Sequence, residues 1–285
     1  MLKKSIFIIL VTYSTIISCQ QKAYAQTLEP YKIDSLWGFK ESNGNMKIKP
    51  QFQYAKEFSN NFAVVVKNNK LGLINKANKI IIPFDYEYLK HLKDDKFIFG
   101  YRAKYFGEYN LGIIDTLNNV LIKPIYSRIK LKNNILETVI QEDSIIGKGV
   151  IGDTRSIKNK RGLITLNGER ILPNEFDYIS WLENGLIVLS KDNLQALYNQ
   201  DGTKLTEFDY IVIGEFNNGL SKVRKGDKYG FINENGKLKI PTEFDMCYPF
   251  ENGFSRIELN DKWGIIDTNG KYVFEPKYSF EEMKQ

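Results

Sequence analysis

A four-residue segment with glycine at its third position returns along nearly the whole chain: Leu36-Trp37-Gly38-Phe39, Lys70-Leu71-Gly72-Leu73, Asn110-Leu111-Gly112-Ile113, Lys160-Arg161-Gly162-Leu163, Lys228-Tyr229-Gly230-Phe231 and Lys262-Trp263-Gly264-Ile265. Leu194-Gln195-Ala196-Leu197 stands in register between the fourth and fifth of these, and successive markers lie 34, 40, 50, 34, 34 and 34 residues apart. A fixed period of this length constrains the fold more than any other feature. Each copy is one supersecondary unit that cannot bury its apolar face alone, so the copies must stack on one another.

Each position of the repeat has a physical reading. Six residues after the markers stand Gly44, Asn78, Asn118, Gly168, Gly202, Gly236 and Gly270, the two residue types that most readily accept positive φ. A second slot, 22 or 23 residues after the marker, holds Asn61, Asp95, Asn134, Gly185, Gly219 and Gly253. Both slots read as turns, and five of the seven first turns contain Asn-Gly or Asp-Gly, a strong hairpin signal. Ala77-Asn78 and Leu117-Asn118 suit a looser turn with one left-handed residue. Runs such as Phe62-Ala63-Val64-Val65-Val66 and Ile80-Ile81-Ile82 have strand length and β-branched composition. Pro50, Pro83, Pro124, Pro173, Pro241 and Pro276 share a slot 11 or 12 residues after the marker, six of the chain's eight prolines. A residue without an N–H must end a strand there or lie on an edge. An aromatic follows, as in Phe52-Gln53-Tyr54, Phe84-Asp85-Tyr86, Phe176-Asp177-Tyr178, Phe208-Asp209-Tyr210 and Phe244-Asp245-Met246. One unit therefore reads as a three-stranded meander closed by an aromatic-acidic connector. A glycine inside a strand signals close approach of a neighbouring backbone or ring.

Lys262-Trp263-Gly264-Ile265-Ile266-Asp267-Thr268-Asn269-Gly270-Lys271, with Pro276 and Tyr278 behind it, resembles the bacterial WG (KWG) repeat. The likeness covers roughly residues 31–280, and it implies no catalytic set or cofactor. Tryptophan persists only at Trp37 and Trp263. Leu71, Leu111, Arg161, Gln195 and Tyr229 replace it elsewhere, Ala196 replaces glycine, and the fifth unit lacks the proline. The expected fold is all-β, seven three-stranded units in an open, curved array, with a seven-bladed β-propeller as the alternative.

Two insertions interrupt the period, one within His91–Tyr109 and one within Gln141–Lys160. Insertions in repeat arrays map to loops, and loops on rigid scaffolds carry recognition. Tyr101, Arg102, Lys104, Tyr105 and Phe106 in the first, with Glu142 and Asp143 in the second, are the candidate recognition residues. Gly38, Gly72, Gly112, Gly162, Gly230 and Gly264, with Trp37 and Trp263, are expected to serve the repeat architecture.

Residues 1–18 combine a basic start, Lys3-Lys4, with an apolar run too short to span a bilayer, the pattern of an export signal. Ile16-Ile17-Ser18-Cys19 resembles a lipobox, which would make Cys19 the lipidated mature N-terminus and residues 19–30 a linker. Ala23-Tyr24-Ala25 offers an alternative cleavage site and a soluble periplasmic or secreted product. The excess of 40 Lys+Arg over 34 Asp+Glu falls from +6 to +4 if Cys19 leads the mature chain. The remaining cations are dispersed, so nucleic acid is not an expected partner. Residues 281–285 form a short tail, and Cys247 reads as a small buried apolar residue.

Catalytic signatures fail their contexts. Gly147-Lys148-Gly149-Val150-Ile151-Gly152 matches G-x-G-x-x-G, but no amphipathic helix follows it. His91 is the only imidazole and reads as a surface loop residue. Asp85, Asp177, Asp209 and Asp245 recur once per unit, which suits carboxylates that bind turn amides better than a catalytic pair. Asp267-Thr268-Asn269-Gly270 lacks the remaining oxygens of a calcium loop. The expectation is a non-enzymatic exported scaffold for a protein or envelope glycan, with no cofactor, no metal, and membrane contact only through Cys19. A carboxylate-based hydrolase of envelope polysaccharide is the alternative.

Overall fold

A computed structural model describes residues 27–103, 108–149, 152–279 and 281–282. The described residues form seven antiparallel sheets and no α-helix, and they fall into two compact units that divide after Ile129.

In the first unit, β1 (Leu28–Ile33), β2 (Leu36–Glu41) and β3 (Met46–Phe52) form sheet one. Sheet two holds β4 (Tyr54–Ala55), β5 (Phe62–Lys67), β6 (Lys70–Asn75) and β7 (Ile80–Tyr86), and sheet three holds β8 (Tyr88–Lys93), β9 (Lys96–Arg102), β10 (Tyr109–Asp115) and β11 (Val120–Tyr126). Sheet four runs β12 (Arg128–Lys132), β13 (Ile135–Gly149), β14 (Gly152–Thr165) and β15 (Arg170–Phe176). Sheet five has only β16 (Tyr178–Trp181), β17 (Ile187–Lys191) and β18 (Leu194–Tyr198). Sheet six comprises β19 (Val212–Asn217), β20 (Leu220–Lys225), β21 (Lys228–Asn233) and β22 (Leu238–Phe244); sheet seven comprises β23 (Met246–Cys247), β24 (Phe254–Leu259), β25 (Lys262–Asp267) and β26 (Tyr272–Tyr278).

Seven units are present, as the markers predict, but five of the sheets have four strands rather than three. The aromatic-acidic connector does not close a meander. It leads at once into a short first strand of the next sheet, such as Tyr54–Ala55 or Met246–Cys247, so the covalent repeat and the sheet are offset by one strand.

Alternation of side chains explains where the core sits. Successive residues of a strand face opposite sides. In sheet two, Ala63, Val65 and Ile74 pack toward sheet one, whereas Val64 and Leu73 pack toward sheet three. In sheet five, Ile187, Leu189 and Ala196 join the layer with sheet four, and Val188 and Leu197 the layer with sheet six. Central strands therefore read as unbroken apolar runs, because both faces are covered. Phenylalanines are the largest of the fully buried side chains, among them Phe231, which meets Phe250 edge-on at 4.7 Å. Each such side chain contributes about 1.5–3 kcal/mol by leaving water.

The first turns form one device. In each of the seven units the residue before the turn both donates to and accepts from the far side, as in Asn75 N to Lys79 O (3.0 Å) and Asn78 N to Asn75 O (2.9 Å). One left-handed residue closes each loop: Gly44, Asn78, Asn118, Gly168, Gly202, Gly236 and Gly270 all have positive φ. This is a type I turn followed by a left-handed residue, and not the two-residue form that Asn-Gly suggests. The side chain before the turn caps it where it can: Asp267 Oδ1 accepts from the amides of Asn269 and Lys271, both at 2.9 Å. That is the role of the carboxylate in the calcium-like segment.

The marker glycines have a steric cause. Each faces the strand that carries the repeat proline, always an edge strand of its sheet, and the ladder register shifts opposite the glycine. A Cβ on Gly38 would lie 2.3 Å from Ile48 O, and one on Gly112 would lie 2.3 Å from Ile122 O. The proline strand bulges into the space that glycine leaves free, and the bulge tolerates a residue without an N–H. The fifth unit shows the converse. There Ala196 replaces glycine, the proline is missing, and the strand itself is missing; Leu205 N and Thr206 N bond Leu197 O instead, while Thr206 Oγ1 accepts from Leu197 N at 2.9 Å.

Candidate functional site

Ladder register corrects one alignment. The residues opposite the marker strand are Phe52, Tyr86, Tyr126, Phe176, Phe244 and Tyr278. Tyr86, and not Phe84, is therefore the counterpart of Phe52, and the recurrent polar position is Gln53, Glu87, Asp177 and Asp245. Asp85 and Asp209 lie two residues out of this register, because Phe84-Asp85-Tyr86 and Phe208-Asp209-Tyr210 imitate the motif in sequence only.

This polar position staples one sheet to the next. Asp177 Oδ1 takes Lys160 Nζ at 2.7 Å from the marker strand of sheet four, and its Oδ2 takes the amide of Asp192 at 3.0 Å in the turn of sheet five. Asp245 does the same with Lys228 Nζ (2.5 Å) and the Asn260 amide (2.7 Å). Glu87 does so with Lys70 Nζ (3.0 Å) and the Arg102 amide (2.6 Å). Gln53 pairs with Asn69 as the neutral version. The recurrent acids thus bind turn amides, as the sequence suggests, at a position it places correctly for two of four.

The Lys160 ammonium, followed by the Asp192 amide, holds the Asp177 carboxyl below its ordinary 3.8. A carboxylate whose folded pKa is depressed stabilises fully above its unfolded value, and that contribution fades as pH falls through the lower folded value. Asp177→Asn is therefore expected to flatten the loss of thermal stability below about pH 4. The effect should stay under about 1 kcal/mol, since solvent screens the partly exposed pair. Melting curves at pH 7 and pH 3 with the same slope for both proteins would refute the staple.

The turn that receives each staple is usually two residues long, with positive φ at both in Asn68-Asn69, Asp192-Asn193 and Asn260-Asp261. Sequence reasoning missed these turns, although a pair of turn-forming residues just ahead of the marker strand was a readable signal. Both insertions lengthen this same turn of the repeat. In sheet three β9 ends at Arg102 and β10 begins at Tyr109, with Ala103 N donating to Glu108 O at 3.0 Å. In sheet four it is no loop: β13 and β14 continue as a paired hairpin from Ile135↔Thr165 to Gly149↔Gly152. Of the G-x-G-x-x-G segment, Gly147, Lys148, Gly149 and Gly152 lie on the paired strands, and the strand β14, not the helix that the phosphate reading requires, follows it.

Tyr101 and Arg102 end β9, where Tyr101 packs against Tyr86 at 5.6 Å. Lys104, Tyr105 and Phe106 lie outside the described residues, as does Cys19. Glu142 and Asp143 are exposed on the hairpin, opposite Lys158 and Ile157 in the ladder and not opposite a second acid. The two groups belong to different compact units. His91 sits on a strand and not in a loop; its Nε2–H donates to Asp94 O at 2.9 Å, its ring meets Phe97 at 5.1 Å, and it lines a cavity of about 220 Å³ between sheets two and three. Burial pushes the Cys247 thiol up to about 12, which makes it inert at neutral pH. Trp263 is buried against Tyr248 and Trp37 is half-buried beside Tyr54, so both serve packing.

At the base of the hairpin lies an open cleft of about 490 Å³, lined by Ile157–Arg161 of β14, by Asp177 and Tyr178, and by the Asp192-Asn193 turn. Arg161 lies over the Tyr178 ring at 4.9 Å and donates to Asp177 O. Lys160 is held by Asp177, whereas Lys158 is exposed.

These stacked meanders with a glycine-proline bulge define a WG-repeat β scaffold. The WG containing repeat matches residues 37–70, 72–105, 112–134, 197–229, 229–263 and 263–280, and the chain belongs to that family. The match omits residues 135–196, the stretch that holds the long hairpin and the unit with Ala196. No curated protein matches the chain. Among solved structures, it is similar to a eukaryotic initiation factor (10% identity over 87% of this chain and 83% of the other, TM-score 0.30). It is also similar to PorZ, a surface component of the type-IX secretion system of Porphyromonas gingivalis (11% identity, 90% and 37%, TM-score 0.28). A protein of unknown function from Bacteroides caccae is a third (16% identity, 72% and 88%, TM-score 0.21).

Proposed function

We propose that this protein is a non-enzymatic, exported binding scaffold that engages a protein or glycan of the cell envelope through its lengthened turns. The observation that carries the reading is positional. Both departures from the period enter the same turn of the repeat, and the larger one grows into a paired hairpin beside an open polar cleft. Selection for stability alone gives no reason to enlarge one turn twice and leave the others at two residues, whereas recognition elements on rigid scaffolds sit at such places. Replacing residues 143–157 by an Asn-Gly turn, so that Glu142 and Lys158 close a short hairpin, is expected to leave the melting temperature within a few degrees. Affinity capture from the native envelope should then lose at least about tenfold of the enriched partner. Undiminished capture by the folded variant would reject the reading.

In the same proposal the mature chain is tethered by lipid on Cys19, with no cofactor, metal or nucleic acid involved. The support is the apolar run ending at Ile16-Ile17-Ser18-Cys19. Cys19→Ala should abolish palmitate labelling and release the protein from the membrane fraction; unchanged labelling would exclude that cysteine.

A further inference from the structure

We infer that the outer edge of β14 at the hairpin base is a docking edge for an extended peptide segment of a partner protein, which adds as one more strand in line with β15. The inference rests on the hairpin as recognition element and names how it recognises. Three observations meet there. First, β15 pairs with β14 only at Arg161, Leu163 and Ile164, and no other described strand pairs along the outer edge of Ile157–Lys160. Lys158 and Lys160 project from this stretch and Asn174 Nδ2 donates to Lys160 O at 3.3 Å, but the repeat proline and its bulge lie on β15 beyond it, so neither a proline nor a bulge blocks pairing at residues 157–159. Second, the cleft opens along this same stretch, so the space an added strand would occupy is free, and its floor is set by Tyr178 and the Asp192-Asn193 turn.

Third, the side chains along the edge alternate in character. Lys158 and Lys160 share one face, while Ile157, 45% exposed, and Asn159 lie on the other. Lys160 is neutralised by Asp177, and Lys158 lines the cleft without an ion pair to any described residue. The segment that fits is thus an extended one with an acidic residue beside Lys158 and an apolar one beside Ile157, held by ladder hydrogen bonds and selected by these neighbours. A glycan offers no backbone ladder to match the free edge.

The test uses the mature protein and a blocked nine-residue peptide that alternates valine and glutamate. Titration with hydrogen-exchange readout should show slowed exchange of β14 amides between Ile157 and Arg161. Lys158→Glu, or lysine in place of glutamate in the peptide, should weaken binding about tenfold or more. N-methylation distinguishes strand addition from side-chain contact. Methyl groups on alternate residues along one edge of the peptide should abolish binding, and the same number along the other edge should leave it within about twofold. Equal binding of the two methylated peptides would overturn the strand-addition inference, yet the truncation of residues 143–157 would still test the hairpin as recognition element. A concentration-dependent dimer that the peptide dissolves would assign the edge to a second copy of this chain. Binding of an N-acetylglucosamine oligomer in the cleft in place of the peptide would assign it to glycan. Either result would overturn the proposal.

Discussion

Gly112→Ala is expected to destabilise the unit that ends at Ile129 by about 2–4 kcal/mol. The added Cβ would stand 2.3 Å from Ile122 O and 2.8 Å from Pro124 N, both backbone atoms of a bulged strand that cannot rotate away as a side chain can. For a unit of about 100 residues that is a fall in melting temperature of roughly 10–25 °C. The neighbouring comparison fixes the cause. Ala196 occupies the same repeat position in the unit that has lost the proline strand, so Ala196→Gly should cost only about 0.5–1 kcal/mol, the ordinary penalty of glycine inside a strand. Thermal melts that show Gly112→Ala as stable as the parent would mean that the close approach is not what selects glycine.

Phe231→Ala should be equally damaging for a different reason. The ring is fully buried in the layer shared by sheets six and seven, edge-on to Phe250, and its removal leaves a cavity in a layer with few ways to collapse. A loss of about 3–5 kcal/mol is expected from chemical denaturation. Hydrogen exchange should rise first in β21, β22 and β25, which line that layer. Phe254, half exposed on β24, is the control: Phe254→Ala should stay within about 0.5 kcal/mol. Equal losses for the two phenylalanines would contradict a core divided into layers between successive sheets.

Much of the unit was legible in the sequence, because its signals are local. Positive φ at Asn78 or Gly270 is a demand on one residue, and only glycine and asparagine meet it cheaply, so the first turn slot reads correctly in all seven units. The second slot is less regular. The left-handed residues are Asn60 and Asp94 where Asn61 and Asp95 were expected, since adjacent Asn and Asp residues offer the backbone two places to turn. Proline on an edge strand is equally local, because the missing N–H forbids a central one.

What the sequence left open depends on partners distant along the chain. Phe84-Asp85-Tyr86 looks like Phe52-Gln53-Tyr54, yet the ladder equates Tyr86 with Phe52. Register is set by which residue faces the marker strand and not by motif likeness. The connector became a first strand because the next sheet offers it a hairpin to pair with, a property of the neighbouring unit. Gln141–Lys160 read as a loop, since polar residues and glycines dominate it, but cross-strand pairing with its own other half makes it a ladder. The inserted acids Glu142 and Asp143 are exposed on that ladder. The edge beside Lys158 was invisible, for a free edge is defined by the strand that stops short of it.

The sequence by itself determined the number of units, their all-β character, their turns, and the family, because each rests on steric limits of single residues repeated at a fixed period. Tertiary structure alone decided the four-stranded sheets, the layered core, the staples through Glu87, Asp177 and Asp245, and the open edge of the hairpin. Those features are relations between backbones that a period brings near one another, and only hydrogen-bond register states which atoms meet.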